Sequence, residues 1–204
     1  MLRWTRTVGI AIVAVLLAIV GLYFTLAKAA APAADQAVKA EGRLVEFTPD
    51  GKLKQPVGYR QWVFIGAPLT PNDLNDGHSN FPEFHHVYID PESFAYWQKT
   101  GKLRDGTVIV KDLLSVGSKK APSGNGYFEG DYTGMEAAIK DSKRFKDEPG
   151  NWAYFDWGHK HPLKHEAAKK PTAECNACHE KFAKTDWLFT QYYPVMRASA
   201  PHSK

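Results

Sequence analysis

The feature that most limits this chain is the spacing within "ECNACHEKF", Glu174 to Phe182. It holds both cysteines of the chain, Cys175 and Cys178, with His179 immediately after. On one helical turn, residues i, i+3 and i+4 share a face. Two thiols and an imidazole arranged so suit attachment of a c-type haem, the thiols adding to the porphyrin vinyls and the imidazole reaching the iron. Other uses fit less well. A disulfide between Cys175 and Cys178 would close a loop of two residues and restrict the unfolded chain little. A thioredoxin-like redox pair lacks a βαβ pattern around it, and a structural zinc lacks its usual second pair of ligands. Only 25 residues follow His179, so the fold has to bury a porphyrin close to its C-terminal end.

At the other end, Arg3 and Arg6 precede an uncharged apolar run at 8–27, followed by a small, Ala-rich stretch. This is the pattern of a secretory signal peptide or an N-terminal membrane anchor. The run is long for a signal core and just long enough to span a bilayer, while Ala27-Lys28-Ala29 offers a cleavage site. Either way the arginines stay inside and the domain is exported. The expected location is the periplasm, free or anchored through residues 8–27. The expected organisation is a leader at 1–29, a tether and domain approach at 30–57, and a haem domain at 58–204. Without the leader the formal charge falls from +4 to about +1, too little for a nucleic-acid partner.

Between these ends the chain alternates short β-rich segments with turn signals. "YRQWVFIG" (59–66), "HHVYID" (85–90), "GTVIVKDLLSVG" (106–117) and "NWAYFDWG" (151–158) are strand candidates. "MEAAIKDSKRF" (135–145) suits strand or helix. "PLTPNDLNDGHSNFP" (68–82) and "KAPSGNGYFEGDYTG" (120–134) are loop-like in composition. "DPESFAYWQKTG" predicts a helix, with Asp90 as cap, Pro91 in the first turn and Gly101 as terminator. The fold class expected is mainly β: an antiparallel sheet domain with a few short helices and a c-type haem attached near the C-terminus, preceded by the signal or anchor helix. Met196 is the one downstream candidate for a second axial sulfur, and it follows Pro194 near a ragged tail. A packing role fits it better, which leaves the sixth iron position open to small ligands.

These segments together resemble the cytochrome P-460 family. The resemblance is carried by "YRQWVFIGAPLTPNDLNDG", "VYIDPESFAYWQKTGKLRDGTVIVKDLLSVG", "SGNGYFEGDY", "KDSKRFKDEPGNWAYF" and "PTAECNACHEKFAKTDWLFTQYYPV", which cover most of residues 58–196. It implies one haem c per chain, held by Cys175 and Cys178 with His179 on the iron, and a homodimer. It also implies oxidation of hydroxylamine to nitrous oxide, nitric oxide or nitrite, with a periplasmic c-type cytochrome as electron acceptor. A third covalent link, from a lysine nitrogen to the porphyrin, would fall on Lys111. That lysine is in phase with Ile109 and Leu113 rather than with Val108 and Val110, and lysine is seldom buried unpaired.

Hydroxylamine oxidation releases protons, so a distal base is expected. Glu136 and His85 are the candidates. Of the adjacent pair His85-His86, one ring alone can face the haem, and His85 is the better placed by the resemblance. "NFPEF" (80–84) is a candidate lining for the pocket mouth. His159, His161 and His165 in "GHKHPLKHE" suit an exposed loop. Two rival functions stay open: a nitric oxide-binding protein like the related cytochromes c′-β, which lack the lysine link, and a plain electron-transfer cytochrome.

Overall fold

The computed structural model describes residues 44–201; the apolar run at 8–27 and the tether lie outside the described residues. In chain order the elements are β1 (Leu53–Lys54), β2 (Val63–Gly66), β3 (Phe84–Ile89), α1 (Pro91–Thr100), β4 (Val108–Val116), β5 (Lys120–Ala121), β6 (Gly124–Asn125), β7 (Glu129–Lys140), β8 (Trp152–Gly158), β9 (Glu166–Ala167), α2 (Cys175–Phe182) and α3 (Pro194–Ser199). A five-stranded sheet runs in the order β2-β3-β4-β7-β8, with every neighbouring pair antiparallel. The pairs β1–β9 and β5–β6 are small separate ribbons. The domain is therefore mainly β, with short helices at its margins.

Strand alternation gives the sheet two apolar faces. One carries Val108, Val110, Met135, Ala137, Ile139, Ala153, Phe155 and Trp157. Leu53 joins this core fully buried, and Phe47 sets its ring edge-on to Phe145 and Phe155, so the approach segment contributes packing as well as connection. The opposite face carries Val87, Ile89, Ile109, Trp152 and Tyr154, and is covered by Trp97, Leu188, Tyr193 and Met196. Met196 is fully buried there, and its carbonyl accepts the Trp97 indole N–H at 2.8 Å. It is a packing residue, as its position suggested.

Helix α1 forms where its cap chemistry predicts. The Asp90 carboxylate accepts the Ser93 N–H at 2.8 Å, and Gly101 ends the helix with φ 65°. The same carboxylate is fully buried and also accepts the Val108 N–H at 2.9 Å and an Arg104 N–H at 3.2 Å. One side chain thus caps a helix and fixes the start of β4. Two segments depart from expectation. The strand expected at 59–66 opens with a 3-10 turn over Tyr59–Gln61, because Tyr59 turns inward to pair with a buried carboxylate. The loop expected at 120–134 gives up its second half to β7, which begins at Glu129. Glycines 130 and 134 obscure the strand pattern, yet β4 supplies a long ladder for them to join.

That buried carboxylate is Asp112 on β4, 1% exposed. It accepts the Tyr59 hydroxyl and two Arg60 N–H groups, at 2.7 and 3.0 Å. A buried charge needs this degree of pairing.

Candidate haem-binding face

The second face of the sheet gathers the sequence-derived candidates. Register places Val87, Lys111, Glu136 and Asp156 side by side across β3, β4, β7 and β8. Two residues further along lies an apolar row of Ile89, Ile109, Ala138 and Tyr154, about 7 Å away at the usual strand rise. Lys111 Nζ lies 2.5 Å from Glu136 Oε2, with both side chains about four-fifths buried (21% and 20% exposed). A register irregularity in the β7–β8 pairing falls at Met135/Glu136. Such bulges re-aim side chains.

His85 faces the same side, opposite Leu113 on β4. Its buried Nε2 has no hydrogen-bond partner. Burial first, and the nearby Lys111 charge second, push its proton affinity down to about 3, so the ring is neutral. His86 turns to the other side, 2.5 Å from a Glu129 carboxylate oxygen and edge-on to Phe64. Of the adjacent pair, one ring therefore faces the Lys111 side of the sheet and the other faces away, as strand alternation requires.

Helix α2 presents the attachment motif. Cys175 and Cys178 are unbridged thiols. Burial raises the proton affinity of Cys175, and this side chain packs on the apolar face of the sheet. The His179 ring lies between Tyr154 and Phe189, at centroid distances of 4.5 and 4.7 Å. His179 Nδ1 lies 2.7 Å from the Trp187 carbonyl oxygen. A carbonyl only accepts, so Nδ1 carries the proton and Nε2 keeps its lone pair. That is the tautomer an iron-ligating histidine uses. Burial lowers its proton affinity, which also favours the neutral ligand form.

The turn that supplies this carbonyl is strained. Asp186 and Trp187 both have positive φ, 45° and 58°, a conformation that costs about 1–2 kcal/mol for a residue with a Cβ. Two contacts hold it. Lys140 Nζ donates to both Asp186 oxygens at 2.7 and 2.6 Å. The Trp187 ring lies against Gly150, where a Cβ would fall 2.4 Å from a ring carbon.

Two further residues complete the site, one from the segment expected to line the pocket mouth and one from the loop expected to be exposed. Phe81, in the segment proposed for the pocket mouth, sets its ring edge-on to His85 at 6.0 Å, stacks on His159 at 6.2 Å, and lies 5.1 Å from Lys111 Nζ. His159 is exposed, as expected of its loop, yet its Nε2 lies 3.3 Å from Glu136 Oε1 and its Nδ1 3.3 Å from Glu83 Oε1. His161 and His165 are exposed and take no part. Glu136 feels opposed forces: burial works to raise its proton affinity, but the Lys111 charge and the His159 contact outweigh burial and hold it well below the usual carboxylate range.

The residues present fit a haem. Two free thiols, an imidazole with its outer nitrogen tied back, an apolar strip of sheet and an unpartnered buried His85 nitrogen all belong to one face. Comparison with known proteins agrees. The sequence profile described as Cytochrome P460 matches residues 56–190. No curated protein matches the chain.

Proposed function

The chain belongs to the cytochrome P460 family, and from that premise we propose that it is a c-type haem enzyme oxidising hydroxylamine. Cys175 and Cys178 would hold the porphyrin through thioethers, His179 would ligate the iron, and Lys111 would supply a third covalent link. When bound, the haem supplies an iron centre that takes electrons from the substrate and passes them to a periplasmic c-type cytochrome. The observation that carries the proposal is the largely enclosed Lys111–Glu136 pair, 2.5 Å apart in cross-strand register, on the face where α2 presents its motif.

The chemistry of the pair supports both roles. A lysine can act as a nucleophile only after losing a proton, and Glu136 is an acceptor in direct contact with it. Once Lys111 is neutral, the strongest charge holding Glu136 acidic is gone. Its proton affinity then rises towards the range where a carboxylate serves as a general base. Hydroxylamine must give up protons along with electrons, and Glu136 is placed to take them. His85, neutral and unpartnered, orients the substrate by hydrogen bonding without adding charge. The Phe81 ring lies 5.1 Å from Lys111 Nζ and edge-on to His85, at the mouth of this group of side chains.

A protease digest of the purified protein tests the covalent assignment: the haem-bearing fragment is expected to contain a Lys111 peptide together with the Cys175–Cys178 peptide. Stopped-flow mixing with hydroxylamine, followed by product analysis, tests the activity. An inert ferric protein that binds nitric oxide tightly when reduced would replace the enzyme with a gas-binding role. A reduced spectrum insensitive to carbon monoxide would replace it with electron transfer.

A further inference from the structure

Glu136 is the internal end of a short polar chain. β8 ends at Gly158, and His159 then stands among three carboxylates. Its Nε2 lies 3.3 Å from Glu136 Oε1 and 3.8 Å from Asp156 Oδ2; its Nδ1 lies 3.3 Å from Glu83 Oε1. The carboxylates are mostly buried, with side chains 15–23% exposed, whereas the His159 side chain is 36% exposed. Glu136 Oε2 is occupied by Lys111, so Oε1 and His159 form its way out. The charged and titratable groups facing this cluster are Glu83 before β3, His85 on β3, Lys111 on β4, Glu136 on β7 and Asp156 on β8. Among the described residues, Lys111 and His159 are the cationic groups within ion-pair reach of Glu136.

We propose that His159 is the outlet through which protons collected at Glu136 reach water, a positioning residue that acts through Glu136. The source of those protons rests on the function proposed above; the path rests on the geometry. The contact with Glu136 first, and that with Glu83 next, raise His159's proton affinity to about 9, so imidazolium is its resting form at neutral pH. When Glu136 takes a proton its negative charge disappears, and the imidazolium loses its main partner. The ring then releases its Nε2 proton to water. The proton on Glu136 shifts to the vacated nitrogen and restores the carboxylate–imidazolium pair. One proton leaves the substrate, one enters the solvent, and no electron moves.

The test uses the full haem-loaded chain and the His159→Gln variant, a neutral change at an exposed side chain. Infrared difference spectra against pH follow the Glu136 carboxyl band, identified by its loss in Glu136→Gln. The midpoint of that band is expected to rise by about one pH unit or more in His159→Gln, because a cationic hydrogen-bond partner has gone. Hydroxylamine turnover is expected to fall about tenfold in dilute buffer and to recover as phosphate concentration is raised, since a mobile base then carries the proton. An unmoved midpoint would overturn the proposal, as would wild-type turnover at every buffer concentration. Should the wild type leave hydroxylamine unoxidised at every buffer concentration, the proposed function fails; the infrared midpoint still tests the coupling on which the outlet depends, and an unmoved midpoint overturns the outlet separately.

Discussion

Replacing Gly150 by alanine tests how the iron-facing histidine is held. Gly150 has φ 61° and no room for a side chain: a Cβ would lie 2.4, 2.7 and 2.8 Å from three atoms of the Trp187 ring. Ordinary contact needs at least about 3.4 Å, so the ring has to retreat by about 1 Å. Trp187 is also the residue whose carbonyl takes the His179 Nδ1–H. A left-handed alanine costs about 1–2 kcal/mol, and overpacking a filled site costs about 1–3 kcal/mol. The reduced freedom of the unfolded chain returns about 0.4–1 kcal/mol. The net loss is about 1.5–4 kcal/mol, a fall in Tm of roughly 4–15 °C for a domain of this size. Thermal unfolding followed by circular dichroism measures it, and the haem spectrum should change as the His179 hydrogen bond shifts. Gly150→Asn separates the two causes: asparagine tolerates positive φ better but still carries a Cβ, so it should be nearly as destabilising as alanine. A Tm within about 2 °C of wild type for both variants would refute the close-packing argument.

Further outcomes follow from the same geometry. Asp112→Ala leaves the buried Tyr59 hydroxyl without its acceptor, while Arg60, 53% exposed, can turn to water; a loss of about 1–3 kcal/mol is expected in urea unfolding, with little change in haem attachment. Lys111→Met should remove the lysine-linked haem fragment from a digest and leave the Cys175–Cys178 fragment in place, and a surviving third link would exclude Lys111. His159 binds its proton more tightly in the fold than in the unfolded chain, so its stabilisation is full below about pH 6.5 and is lost as pH rises through about 9. His159→Gln should flatten that alkaline decline in denaturant midpoints. His85 has the opposite sign. Its affinity is lowered to about 3, so acidification from 6.5 towards 3 protonates the unfolded chain first and destabilises the fold. His85→Phe should reduce that acid sensitivity.

Particular residues show what could be read in advance. The α1 helix was legible because Asp90, Pro91 and Gly101 each act on backbone atoms a few residues away. The side of β4 that Lys111 occupies followed from alternation with Val108 and Val110; the same two-residue period showed that one ring of the His85-His86 pair alone could face the haem, while the choice of His85 came from the family resemblance. The start of β7 was obscured because Gly130 and Gly134 weaken a strand pattern that pairing with β4 overrides. Asp112 gave a faint signal, one acid within a β-branched run, but its partners Tyr59 and Arg60 lie more than fifty residues earlier. His159 gave none: in the chain it belongs to a Lys-rich loop, and only the end of β8 brings it to Glu136.

The sequence by itself determined the attachment motif, the antiparallel β class, the cap of α1 and the face on which each strand residue lies, because these depend on periods of two to four residues along one backbone. Tertiary structure decided that Lys111 meets Glu136, that Glu136 meets His159, and that a strained Asp186–Trp187 turn holds His179. The first two contacts join segments more than twenty residues apart, and the turn is held in place by Lys140 and Gly150, both more than thirty residues before it. The register of five strands and the packing of α2 on their apolar face fix such distances, and no local pattern encodes them.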